Sequence, residues 1–226
     1  MDVKLAENMK PLTRSLLLNS PYECLTRGRW GNADLIKCRR NGQTWIIKDF
    51  SPCPPLVKRT WGRWMVVREF RALVHLQGID GIPESPFRLD RYAVGYRFIP
   101  GKTLKDSAPA DILPDFFHEL EALVLQMHAR QMVHLDVRNR RNVLVTDAGC
   151  PALLDFQSSL ALDHVPAAFH RLLKDIDLSG VYKNWIKIRP DLIDQSRKDR
   201  LERINRRRRF WLFKGYMLGP KGQRRQ

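Results

Sequence analysis

The sequence predicts an α+β fold whose two halves are segregated, β-rich first and helical afterwards. Three observations predict it. Two strand-like runs, 33–39 and 43–50, flank Asn41-Gly42, a hairpin turn signal because both residue types tolerate positive φ. Between 115 and 130 the apolar residues Phe116, Phe117, Leu120, Leu123, Val124 and Met127 fall at helical spacing, which marks a core-facing helix. A tight pair of short strands, 142–146 and 152–154, then follows that helix around Asp147-Ala148-Gly149.

The remaining elements take their places around these. Residues 1–20 are expected to form a leader packed on the first half. Ser51-Pro52-Cys53-Pro54-Pro55 ends the second strand, since proline cannot donate to a ladder. A helix is expected over 57–76, with Trp61, Trp64, Val67, Phe70, Val74 and Leu76 forming its packing face. Strands are expected over 87–89 and 92–99. Pro100-Gly101 then breaks the chain and divides it into a first lobe, 1–99, and a second, 100–226. Helices are expected over 167–187 and from 194 onward.

Composition narrows the class. A chain of 226 residues with 43% hydrophobic side chains can bury a core and does not carry the signature of disorder. No apolar run approaches the ~20 residues of a membrane span. The start, Met1-Asp2-Val3-Lys4, lacks the basic and apolar blocks of a signal peptide, so a cytoplasmic location is expected. Cys24, Cys38, Cys53 and Cys150 are scattered, without metal-ligand spacing, and are expected to be reduced. Charge is the outlier. The formal net charge is +16, which suggests an anionic partner. From Gln195 to Gln226 twelve Arg and Lys oppose only Asp199 and Glu202, so this end carries ten of the sixteen net charges.

The chemistry is concentrated in His134-Leu135-Asp136, Asn142-Val143-Leu144-Val145 and Leu154-Asp155-Phe156-Gln157. Phosphoryl transfer calls for such a set. One carboxylate orients the attacking hydroxyl, while an amide oxygen and a second carboxylate hold Mg²⁺, which prefers hard oxygen ligands. Over residues 22–160 the sequence resembles the protein-kinase superfamily. His134-Leu135-Asp136 resembles the H-R-D element, which implies Asp136 as catalytic base. The resemblance implies Asn142 and Asp155 as magnesium ligands, thirteen residues apart. Trp45-Ile46-Ile47-Lys48 resembles V-A-I-K, implying Lys48 on the ATP phosphates with Glu69 as its ion-pair partner. Arg97 and Ile99 fall where the hinge to adenine belongs. In Thr26-Arg27-Gly28-Arg29-Trp30-Gly31-Asn32-Ala33, Gly28, Gly31 and Ala33 match part of a nucleotide-binding glycine loop, and a plain turn between strands is the other reading. The resemblance thus implies a two-lobed fold with a β-rich N-lobe, a shortened helical C-lobe, and ATP and Mg²⁺ as cofactors.

Three departures qualify it. Asp136 and Asn142 are six residues apart, one more than in the signature, which leaves Asn139 as a rival ligand. Gln157 replaces the flexible glycine after Asp155-Phe156, and nothing downstream resembles A-P-E. These features point to compact atypical branches. The chain looks most like the bacterial lipopolysaccharide-core (Kdo and heptose) sugar kinases, with the RIO-type kinases second. The resemblance therefore implies a hydroxyl acceptor on an anionic, lipid-linked sugar. A RIO-like serine kinase and a nucleotide-binding pseudokinase remain as alternatives. Arg138, Arg140 and Arg141 are either contacts to an anionic acceptor or phosphate, or internal salt-bridge partners. The tail, with Arg206–Arg209 beside Phe210, Trp211, Leu212, Phe213 and Tyr216, has three readings: a solvated basic helix, peripheral contact with an anionic membrane, or RNA binding.

Overall fold

The computed structural model describes residues 12–29 and 31–210. A one-turn helix α1 (Arg14–Leu18) opens this range, with the Thr13 hydroxyl accepting from Leu16 N–H as its N-cap. Leu12 and Leu17 bury themselves with Ile36, Trp45, Ile47 and Phe87. The Arg14 guanidinium bridges Asp49 and, at 2.8 Å, Asp90. The described part of the expected leader, 12–20, therefore packs on the sheet, and residues 1–11 lie outside the described residues.

That sheet is antiparallel, with order β1-β2-β3-β5-β4. Its strands are β1 (Tyr22–Thr26), β2 (Asp34–Arg40), β3 (Gln43–Asp49), β4 (Phe87–Arg88) and β5 (Ala93–Arg97). Asn41 and Gly42 adopt φ of 49° and 76°, so the two-residue loop has the left-handed backbone that matches strand twist. The turn sets the β2–β3 register from Arg40↔Gln43 to Asp34↔Asp49, which places Lys48 opposite Leu35 and, on its other side, opposite Val94.

The predicted helix 57–76 is not uniform. A short turn (Pro55–Val57) leads into a π segment (Lys58–Gly62), and only then does α2 (Arg63–His75) begin. The wider π turn puts the N-terminal third out of phase with the rest. The packing face accordingly consists of Met65, Val66, Phe70, Leu73 and Val74. Trp61 and Trp64, expected in that face, instead stand about half exposed and lean on one another at 5.2 Å.

The second half is built on α3 (Phe116–Ala129) and α4 (Ala167–Ile188), with α5 (Gln195–Phe210) packed against α4. Short strands lie between. β6 (Gly101–Thr103), β8 (Val143–Thr146) and β9 (Pro151–Leu153) form one small sheet, while β7 (Met132–Val133) pairs with β10 (Leu160–Ala161). Phe116, Phe117, Leu120, Val124, Tyr182 and Trp185 anchor the core, which runs on through Leu73, Leu76 and Ile82 beneath the first sheet. The two halves are also tied by backbone. Leu153 N–H donates to Gly81 O at 2.8 Å, and a Cβ on Gly81 would meet Pro151 O at 2.7 Å. That approach, at φ +86°, suits glycine.

Candidate active site

β3 carries Lys48 into the space between the halves. Its Nζ lies 2.6 Å from Glu69 Oε1 and 2.8 Å from Asp155 Oδ1. Glu69 sits on the buried face of α2, and Asp155 follows β9 at a left-handed φ of 64°. Burial disfavours the Lys48 charge, but the two carboxylates outweigh it and hold the ammonium protonated well above the ordinary lysine range. Burial also opposes ionisation of Asp155. The Lys48 charge and hydrogen bond prevail there, and the carboxyl titrates below its usual range. For Glu69, burial wins over the attraction of Lys48 and raises the pKa. Gln157 occupies the remaining side of this cluster, its Nε2 donating to Glu69 Oε2 at 3.3 Å.

Asp136 and Asn142 meet at the other edge. Asn142 Nδ2 donates to Asp136 Oδ2 at 2.8 Å, and Asn139 Nδ2 reaches the same oxygen at 3.3 Å. Burial raises the Asp136 pKa in spite of these donors. The extra residue between Asp136 and Asn142 is absorbed by two consecutive turns, Asn139 N–H to Asp136 O and Asn142 N–H to Asn139 O. The two amides then differ in use. Asn139 Oδ1 already accepts from Arg141 N–H at 3.2 Å, whereas Asn142 directs only its nitrogen to Asp136. Asn142 is buried immediately before β8 and Asn139 is exposed. Arg138 and Arg141 are exposed and Arg140 half-buried. None of the three pairs with a carboxylate among the described residues.

The glycine positions are forced by local geometry. A Cβ on Gly28 would lie 1.9 Å from Asn32 O, and Gly31 has φ +104°, so both places exclude a side chain at low cost. Gly28 N–H donates to Asp34 Oδ1 at 2.7 Å, which closes the loop onto β2. Ala33 rests against the cluster of Phe50, Met65 and Val66. At the hinge segment, Arg97 N–H donates to Glu84 O and Phe98 N–H to Thr44 O. The Arg97 side chain also turns away, to Glu84 at 2.8 Å. Ile99 N–H has no partner among the described residues.

Sequence reasoning missed the residues that hold this loop. On α4, Asp177, Gly180 and Asn184 share one buried face at spacings of three and four. Asp177 accepts from His134 N–H at 2.8 Å and Leu135 N–H at 2.7 Å. A Cβ on Gly180 would meet Arg138 N at 2.8 Å. Asn184 Nδ2 donates to Val137 O at 3.0 Å. The signal was present as polar residues set among Leu178, Val181, Tyr182 and Trp185, because buried polar groups need partners. The ring of His134 bonds Leu154 O at 3.0 Å and packs on Phe156, which links the 134–142 loop to the Asp155 segment. Arg68 was missed as well. It reaches from α2 to Ser159 O at 2.7 Å and Ser158 O at 3.0 Å, pinning the chain just after Asp155.

No protein-family model matches the sequence, and no curated protein matches it. Solved structures do match in three dimensions. The Rio2 kinase of Chaetomium thermophilum in its ADP/Mg²⁺–phosphoaspartate complex superposes with a TM-score of 0.59 at 16% identity over 81% of this chain. A second structure of that Rio2 kinase gives a TM-score of 0.56 at 14% identity over 85% of the chain. The chain spans 62% and 74% of those two chains, respectively. The chain has a protein-kinase-like fold, with a β-sheet first part and a helical second part.

Proposed function

We propose that this protein is an ATP-dependent kinase that transfers the γ-phosphate to a hydroxyl. The observation that carries the reading is the convergence of Lys48 on Glu69 and Asp155 at 2.6 and 2.8 Å, beside the Asp136–Asn142 pair at 2.8 Å. Lys48 supplies a permanent positive charge for the nucleotide phosphates, and Glu69 holds it in place. Asp136 is held by two amide donors, which aim its carboxylate so that it can take the acceptor proton. The hinge offers Ile99 N–H as its donor to adenine, because the neighbouring amides of Arg97 and Phe98 already donate to Glu84 O and Thr44 O.

The oxygens fit Mg²⁺. Asp155 has a second carboxylate oxygen beyond the one on Lys48. Asn142 points its nitrogen to Asp136 and so has its carbonyl oxygen for a ligand, whereas that of Asn139 accepts from Arg141 N–H. This supports Asn142 and Asp155 as the ligands, in preference to Asn139. Bound there, the metal would neutralise charge on the phosphates.

Arg138, Arg140 and Arg141 extend the loop as uncompensated cations, which supports an anionic acceptor. Two acceptor classes follow. The first is a sugar of a lipid-linked glycoconjugate such as the lipopolysaccharide inner core. Its sequence motive, the basic and aromatic tail, lies from Trp211 onward outside the described residues. The second is a RIO-like protein acceptor, favoured by the likeness to Rio2 kinases. The test supplies γ-labelled ATP with Mg²⁺ and a bacterial envelope fraction, with Asp136→Ala as control. Asp136-dependent label in glycolipid selects the sugar, and label in protein alone selects the second class. The absence of any Asp136-dependent label with either acceptor refutes the kinase reading.

A further inference from the structure

A second charged site lies in the helical half, away from Lys48 and Asp136. The helices α3, α4 and α5 enclose a groove of about 910 Å³, within the usual range for small-molecule sites. Arg171 and Lys174 project into it from α4, and Arg200, Arg203 and Arg207 from α5. Asp175 is the one carboxylate in its lining, 3.8 Å from Arg207. No carboxylate pairs with Arg171, Lys174, Arg200 or Arg203 among the described residues.

We propose that this groove binds a compact, soluble anion carrying about two or three clustered phosphate groups. Five cations against one carboxylate match that load, since a phosphate monoester carries about −1.5 to −2 near neutral pH. Guanidinium groups also fit phosphate oxygens in a forked geometry. The shape argues for a compact ligand. The cations converge from two helices across one concavity, whereas a nucleic-acid backbone is followed by charges laid out along a track. It also argues against a bilayer, because α5 turns Leu201 and Ile204 into the core and so gives a membrane no apolar row on its described face. Like charges lining one groove repel one another, so an anion bound there relieves that repulsion. The groove reaches His128, whose ring meets Asp177 at 3.1 Å. A bound anion thus lies one side chain from the carboxylate that holds the 134–142 loop.

The test titrates sodium tripolyphosphate into the full chain by calorimetry and follows the melting temperature. Lys48→Met is run in parallel to discount binding in the nucleotide cleft. Expected are saturable one-to-one binding and a raised melting temperature, both kept in Lys48→Met. Affinity falls at least about tenfold in Arg171→Gln/Arg203→Gln, since two charge-assisted contacts are lost. Exposed arginine-to-glutamine changes are not expected to unfold the chain, and the variant's own melting curve checks this. Equal affinity in Arg171→Gln/Arg203→Gln and the parent overturns the proposal. So does groove-dependent binding of phosphatidic-acid vesicles or of a homopolymeric RNA without any binding of tripolyphosphate. A failed kinase assay leaves these outcomes unaffected, because none depends on turnover.

Discussion

Asp177 accepts hydrogen bonds from the backbone amides of His134 and Leu135, at 2.8 and 2.7 Å, and Leu135 stands at a left-handed φ of 66°. A non-glycine residue in that region costs about 1–3 kcal/mol and persists only when its surroundings over-determine it. The Asp177 carboxylate is part of what determines it here. Replacement by Ala leaves the buried His134 amide and the part-buried Leu135 amide without acceptors, a loss of about 1–3 kcal/mol for the buried one. Asp177→Ala is therefore expected to lower the denaturation midpoint strongly and abolish activity. Asp177→Asn, which keeps one acceptor oxygen, should retain the fold and lose about tenfold or more in kcat. Normal activity in folded Asp177→Asn would show that the loop needs no such anchor.

Lys48 and Glu69 should behave as a coupled pair. Lys48→Met removes the charge proposed for the nucleotide phosphates and leaves Glu69 buried with no cation, which costs about 3–5 kcal/mol for an uncompensated charge. Adding Glu69→Gln should recover part of that stability but none of the activity, with kcat down about 10²–10³-fold in both variants. Chemical denaturation of the four proteins of the cycle checks it. Additive losses would mean that the two residues do not interact.

Arg68 links α2 to the carbonyls of Ser158 and Ser159 just after Asp155. Arg68→Ala should quicken amide exchange across 156–161 and lower kcat about tenfold through misplacement of Asp155. The melting temperature should change less than for a core substitution, because the bonds are part-buried and the apolar core is untouched. Unchanged exchange in this segment would refute the role.

At the start of α5, Asp194 accepts from Ser196 Oγ at 2.6 Å and Arg197 N–H at 2.9 Å. These bonds hold its carboxyl well below the ordinary aspartate range. A depressed folded-state pKa stabilises the native chain above the unfolded aspartate pKa, about 3.9. That contribution is lost as pH falls through the folded value. Asp194→Ala should therefore lower stability by about 1 kcal/mol near neutral pH, the usual effect of a lost N-cap. The difference from the parent should vanish in strong acid. Melting curves from pH 7 downward read the convergence, and a constant gap would exclude the cap.

Much of the architecture was legible because it rests on local rules. Asn41-Gly42 can only be a tight left-handed turn between two strand patterns, and the structure closes it at φ of 49° and 76°. Spacing placed a helix over 115–130, observed as Phe116–Ala129. It failed at 57–76, where the π segment moved Trp61 and Trp64 off the packing face, since a change of helical pitch leaves no mark in composition.

What the sequence alone determined was the order of elements, the charged side chains available for chemistry and the concentration of basic residues at the end. Tertiary structure decided which of those charges meet. Lys48 and Asp155 are separated by 107 positions and end 2.8 Å apart. It also engaged the Asn139 carbonyl with Arg141 N–H, gave Asp177 the backbone amides of His134 and Leu135, and gathered the arginines of α4 and α5 around one groove. The reason is physical. Turns and periodicities follow from backbone sterics over a few residues, whereas the partner of a buried charge is set by the packing of distant segments.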